Sequence, residues 1–163
     1  MIGLMKMYKK IFDYIDEIIP DPKCELDYNK DYELLIAVML SAQTTDRRVN
    51  EVTSVLFSRY DTLEKLSKAN LSDIEKIVFC LGNYTKKSRA VIDISKKLLE
   101  SGKGLDDRYF LESLPMVGRK TASVVLSELY NIPNIAVDTH VERVSKRLGF
   151  CNEDSSVLRL NKL

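Results

Sequence analysis

Two stretches hold the side chains best suited to chemistry: residues 114–121, LPMVGRKT, and residues 133–143, PNIAVDTHVER. Lys120 sits where a new apolar run begins, in what the pattern makes the first turn of a helix. A cation at that positive end of the helix dipole is disfavoured by a few tenths to about 1 kcal/mol. Partly desolvated there and close to Arg119, its ammonium form is pushed toward the neutral amine. A neutral amine attacks carbon and forms a Schiff base. The plainer use of such a lysine is to be solvated or to bind phosphate. Asp138 lies eighteen positions on, after Ile135-Ala136-Val137 and before Thr139-His140-Val141-Glu142. It can simply help cap the helix starting there. At the mouth of a cleft the same carboxylate can take a proton from a nucleophile or stabilise developing positive charge. His140, the only histidine, falls in the first turn of that helix and reads as structural.

LPMVGRKTASVV also reads as helix, tight turn, helix. Such a hairpin presents successive backbone N–H groups at a helix N-terminus, where a phosphate oxygen fits. An ordinary αα turn is the alternative. A third cluster, SAQTTD at residues 41–46, follows an apolar run. Gln43 carries both a donor and an acceptor, so it can fill a gap in a base stack and bond an orphaned base. Otherwise the stretch is a polar loop with Asp46 capping the next helix.

These groups need elements to hold them, and the periodicity is helical throughout. Met7, Ile11, Ile15 and Ile18 recur at about i+4 before Pro20. Residues 31–42 are apolar nearly all round, too long for a typical strand and rich in Leu, Ala and Met. Val49, Val52 and Leu56 form a stripe behind Thr45-Asp46, and a short segment follows Thr62. Ser72-Asp73-Ile74-Glu75 and Thr139-His140-Val141-Glu142 both spell capping boxes. Thr85 opens a helix with Val91, Ile94 and Leu98 on one face and Gly102 beyond its end. Residues 106–113 make a short helix. Ala122, Val125 and Leu129 mark another, ending near Asn131-Ile132-Pro133. Val141, Val144 and Leu148 point inward from the last capped helix. Val157, Leu160 and Leu163 suggest one more after Asp154. No alternating strand pattern or hairpin signal appears, so the fold class is all-α.

The 163 residues are 45% apolar and 30% charged, enough for one compact unit with a core. A net charge of +1 neither demands nor excludes nucleic acid. Cys24, Cys80 and Cys151 are far apart with no CxxC pair, which argues against a disulfide framework or zinc site and for free thiols in a reducing cytosol. The N-terminus does not read as a signal peptide. The longest apolar run, Leu34–Leu40, is too short to span a membrane.

Taken together, LPMVGRKTASVVL, NIPNIAVDTHVERVSKRLGF and ELLIAVMLSAQTTD resemble the endonuclease III family of helix-hairpin-helix DNA glycosylases, from about residue 8 to the end. The resemblance implies a helix-hairpin-helix glycosylase fold: a six-helix barrel-like domain over residues 22–132, with the hairpin at about 106–130, and a second helical lobe from residues 1–21 and 133–163. It implies base-excision repair of double-stranded DNA carrying a damaged pyrimidine or an abasic site, with the nucleotide flipped out of the stack. Lys120 would attack the sugar and form a Schiff base, β-elimination would nick the strand, and Asp138 would assist. Gln43 and Asn83 would enter the DNA, and Val117, Gly118, Arg119 and Thr121 would hold its backbone. Lys120 favours this bifunctional type over adenine-DNA glycosylases, which lack that lysine. The protein would act in the cytoplasm on a prokaryotic-type nucleoid, as a monomer, with no membrane partner.

Three departures from the family pattern stand out. Met116 replaces the Gly of its LPGVG hairpin, which implies strain if that position needs positive φ. Asn83 replaces a bulky apolar wedge. The family continues further, with four cysteines that ligate a [4Fe–4S] cluster; this chain has no matching set, so no cofactor or metal is expected in it. The second lobe is then expected to be incomplete, leaving Met7, Ile11, Ile15, Val157 and Leu160 short of cover and open to association. The alternative to an active enzyme is an impaired remnant that only binds DNA through its hairpin.

Overall fold

The computed structural model describes residues 2–133 and 136–151. These form nine helices and no strand: α1 Ile2–Ile18, α2 Asp31–Leu40, α3 Asp46–Arg59, α4 Leu63–Ser67, α5 Leu71–Val78, α6 Tyr84–Ser101, α7 Arg108–Glu112, α8 Arg119–Tyr130 and α9 Thr139–Arg147. Val157, Leu160 and Leu163 lie outside the described residues. None of these helices is long and apolar enough to cross a membrane.

The centre is α2. Every residue from Glu33 to Leu40 is buried, as its all-round apolar sequence requires, because a helix without a polar face has to be enclosed. It packs against α3, α6 and α8, while α6 also covers α4 and α5, and α7 lies on α8. Leu34, Leu35, Ile36 and Leu40 are fully excluded from water. Each contributes about 1.5–3 kcal/mol relative to an exposed side chain. The buried carboxylate of Glu33 accepts the backbone N–H groups of Asn29 (2.8 Å) and Lys30 (3.3 Å), which satisfies the start of this helix. The helix that carries Lys120 in its first turn is thus seated directly on the most deeply buried element.

Helix boundaries follow local chemistry more than the sequence pattern suggests. The cap of α5 is Asn70, not the Ser72 of the expected capping box. The Asn70 side chain accepts from the Ser72 amide at 2.9 Å and the Ser72 hydroxyl at 2.8 Å, so that hydroxyl points backward. Helix α6 starts at Tyr84 with Asn83 as its cap in left-handed conformation, one turn position before the expected Thr85. Gly102 and Asn131 end α6 and α8 with positive φ, as helix stops do.

Helix α1 is tied to the far end of α9. Tyr8 donates its hydroxyl proton to the Gly149 carbonyl at 2.9 Å. The Phe150 ring packs edge-on to Tyr8 and stacks on Phe12, at 4.8 and 5.7 Å between centroids. The rest of this region is thinly covered. Met7, Phe12, Ile15, Ile18 and Ile19 are exposed, as expected for Met7 and Ile15. Val144, expected inward, is also exposed, and α9 buries none of its residues. Its apolar stripe is present but meets little of the described chain.

Removing the Phe150 ring should therefore release α1 selectively. Two aromatic pairs worth about 0.5–1.5 kcal/mol each are lost. Hydrogen exchange on Phe150→Ala should be roughly 5- to 150-fold faster in α1, with α2, α6 and α8 unchanged.

Candidate active site

Lys120 and Asp138 meet. The lysine Nζ lies 3.1 Å from Asp138 Oδ2. The other carboxylate oxygen, Oδ1, accepts the backbone N–H groups of His140 and Val141, each at 2.9 Å. Asp138 is therefore the N-cap of α9, one residue before the Thr139 box expected from the sequence. The two uses considered for this residue, cap and reactive carboxylate, are served by different oxygens of one group. The cap fixes the carboxyl plane, and the plane aims Oδ2 at Lys120.

The amide of Val141 above all holds the Asp138 carboxyl below its ordinary 3.8; burial works the other way, and the Lys120 ammonium adds to the lowering. Asp138 is thus an anion near neutral pH. The dipole problem at Lys120 has its answer here, since the unfavourable end of α8 is offset by a full negative charge. The protein does not bury the lysine: its side chain is 59% exposed. The partial desolvation expected from the sequence is left to whatever covers it. His140 stays exposed, with Nδ1 3.1 Å from Arg143 Nη2, a surface contact in keeping with a structural role.

The hairpin before Lys120 is built from α7 and α8. Ser113 ends α7, and Lys97 of α6 donates to its carbonyl at 3.0 Å. Leu114 bonds back to Leu111, and Val117 donates its N–H to Leu114 at 3.2 Å. Val117 is buried in the core, so it anchors the hairpin rather than presenting a side chain outward. Gly118 caps α8 with no side-chain bond. The first-turn amides of Arg119, Lys120 and Thr121 precede the first intrahelical bond, which Ala122 makes to Gly118. Such amides and the helix dipole suit an anion. Gly118 itself has φ −100° and ψ −178°, backbone that any residue can adopt. A methyl there would touch nothing within 4 Å. Nothing inside the protein requires glycine at this position.

Backbone strain falls on residues already singled out from the sequence. Among the described residues, four non-glycines have positive φ: Gln43 at 59°, Asn83 at 57°, Met116 at 61° and Asn131 at 51°. Asn131 ends a helix. The other three are the base-gap residue, the wedge-position residue and the hairpin departure named from sequence. Left-handed backbone costs a non-glycine about 1–2 kcal/mol, less for Asn, and strain of this kind clusters at functional sites. Gln43 and Asn83 are both exposed. Sequence reasoning missed Lys87, which is 1% exposed and donates to the Ala42 carbonyl at 2.9 Å. The signal was available: Lys87 is four residues before Val91, on the stripe that continues to Ile94 and Leu98.

Among the described residues no three His, Cys, Asp or Glu side chains gather as metal ligands. Cys24, Cys80 and Cys151 are free thiols. These residues do not fit a four-thiolate cluster.

A helix-hairpin-helix carrying a lysine, faced by a helix-capping aspartate, defines a class. Residues 36–163 match the family described as HhH-GPD superfamily base excision DNA repair protein, and the chain belongs to that superfamily. Within it, the chain is 42% identical over 160 residues to endonuclease III of Bacillus subtilis (strain 168), covering 97% of this chain and 73% of that protein. It is 40% identical over 143 residues to endonuclease III of Escherichia coli (strain K12), covering 86% and 68%. A solved non-covalent endonuclease III–DNA complex superposes with TM-score 0.89 at 45% identity over 96% of this chain and 74% of the other. A trapped endonuclease III–DNA covalent intermediate gives the same score and identity, over 96% and 75%. A thermostable thymine-DNA glycosylase, at 19% identity and TM-score 0.79, shares the fold.

Two substitutions separate strain from contact in the hairpin. Met116→Gly should raise stability by about 0.5–1 kcal/mol, the relief at positive φ less the entropy of the added glycine. Gly118→Ala should leave urea unfolding unchanged and weaken binding to duplex DNA several-fold, as read by fluorescence anisotropy.

Proposed function

We propose that this protein is a bifunctional DNA glycosylase and abasic-site lyase acting on oxidised pyrimidines in double-stranded DNA. The observation that carries this reading is the 3.1 Å pair of Lys120 and Asp138, with the aspartate pinned by two backbone amides. A damaged nucleotide flipped from the duplex brings its C1′ to this pair. The deprotonated Lys120 amine donates its lone pair to C1′, and the base departs with the glycosidic electron pair and takes up a proton. The sugar ring opens to a protonated Schiff base. Loss of a C2′ proton then drives out the 3′ phosphate, and the strand is nicked. Asp138, held anionic, is a weak base, so its main part is to stabilise positive charge on the sugar and the iminium. The exposed amides of α8 and Arg119 hold the phosphate backbone, while Gln43 and Asn83 enter the stack.

Relatives of this chain are bacterial. The reading places it in the cytoplasm with the nucleoid, as a monomer on DNA.

The test is borohydride trapping on abasic-site DNA, which reduces a Schiff base to a permanent adduct. Wild type should trap, and Lys120→Ala should not. Asp138→Asn should fold normally, since Asn caps as well as Asp, yet trap about 100-fold more slowly or worse. Asp138→Ala should trap as poorly and also lose about 1 kcal/mol of stability with its cap. Salt-dependent DNA binding without any trapping would make the chain a binding module instead.

Acid titration gives an independent check. The folded carboxyl of Asp138 lies below 3.8, so the unfolded chain takes up this proton first as pH falls. Its contribution to stability is complete above about pH 5 and is lost as pH drops through the folded value. Urea midpoints should therefore fall less steeply below pH 4 in Asp138→Asn than in wild type.

A further inference from the structure

Lys87 is among the largest fully buried side chains in the protein. Burying an ammonium carries a penalty, and desolvation holds this lysine below its usual range. Methionine would fill nearly the same space without that penalty, so packing alone gives no reason for a lysine. What its ammonium does is specific. Nζ reaches forty-five residues back to the Ala42 carbonyl at 2.9 Å. The backbone amide of the same residue donates to the Asn83 carbonyl at 3.0 Å. The amide bond is the ordinary first bond of α6; the side-chain bond is what ties the chain directly before Gln43 to the helix capped by Asn83. Both positions have positive φ, a backbone state that needs outside support to persist. The loop holding Gln43 has a further internal bond, from the Thr44 amide to Ser41.

We infer that Lys87 is a positioning residue that braces the Ala42–Gln43 turn against the start of α6 and so fixes Gln43 and Asn83 as one paired insertion device. The inference rests on the proposed glycosylase reading for its consequence, and on geometry alone for the brace. The ammonium replaces the backbone donor that a turn carbonyl would otherwise find in water. It also locks the turn to α6, the helix that carries Asn83 as its cap. The two insertion residues, forty positions apart in sequence, then move as a unit.

Lys87→Met is the test variant, with Lys87→Gln in reserve should the first not fold. The free protein is read first. Hydrogen exchange at the Thr44 amide, the bonded amide of residues 43–45, should rise at least tenfold in Lys87→Met, with the interior of α2 unchanged. Single-turnover base removal, measured well below the melting temperature, should fall about tenfold or more, since small misplacements carry losses of that size. The effect must pass through Gln43. Adding Lys87→Met to Gln43→Ala should therefore change the rate by less than about twofold beyond Gln43→Ala alone. Unchanged exchange at Thr44, or losses that multiply in the double variant, would overturn the inference. If wild type neither removes bases nor traps, the glycosylase reading fails, and the exchange result alone decides whether Lys87 braces the turn.

Discussion

The site depends on a carboxylate shared between two helix starts. Asp138 gives one oxygen to the first amides of α9 and the other to a lysine in the first turn of α8. Each half makes the other possible. Without the cap, the carboxyl would rotate and the ion pair would be one more exposed contact of small value. Without the lysine, the aspartate would be an ordinary cap. Capping is thus used as an aiming device, and the geometry of a reactive pair is written into the backbone at the end of a helix.

Around that pair the protein separates rigid from strained parts. Helix α2 is enclosed on all sides and fixes α8. Gln43, Asn83 and, in the hairpin, Met116 are held in left-handed conformations. Asn tolerates that conformation because its short amide can bond locally; Met has no such means. A deeply packed scaffold lets three strained positions persist, since the interior can over-determine what the local sequence would not choose.

Much of this was legible from residues alone, and the reasons are physical. The apolar run at 34–40 has no polar face and so had to be buried, and the length of 31–42 with its Leu, Ala and Met favoured a helix over a strand. Lys120 and Asp138 stood out because each broke or doubled a local rule. Met116 was flagged through a conformational requirement, and its φ of 61° meets that requirement. The failures have causes as definite. Capping boxes were placed at Ser72 and Thr139 because the pattern there is correct, but Asn70 and Asp138, two residues and one residue earlier, start the helices sooner and take their first amides. Val144 carries the right period for a buried face, and only tertiary packing decides whether such a face meets anything. Lys87 was hidden because a lysine in a basic run reads as solvated, although its place on the stripe of α6 says otherwise.

The bond between Tyr8 and Gly149 closes a span of 141 residues, and that has a consequence during synthesis. At about 5–20 residues per second, α1 leaves the ribosome roughly 7–30 s before its partner exists. The helices from α2 to α8 find their neighbours at much shorter range and can assemble in that interval. Helix α1, with Phe12 and Ile15 uncovered, waits as a nascent amphipathic segment open to holdase chaperones. Asp138 arrives near the end of the same wait, so the reactive pair forms only after the helices from α2 to α8 have been made.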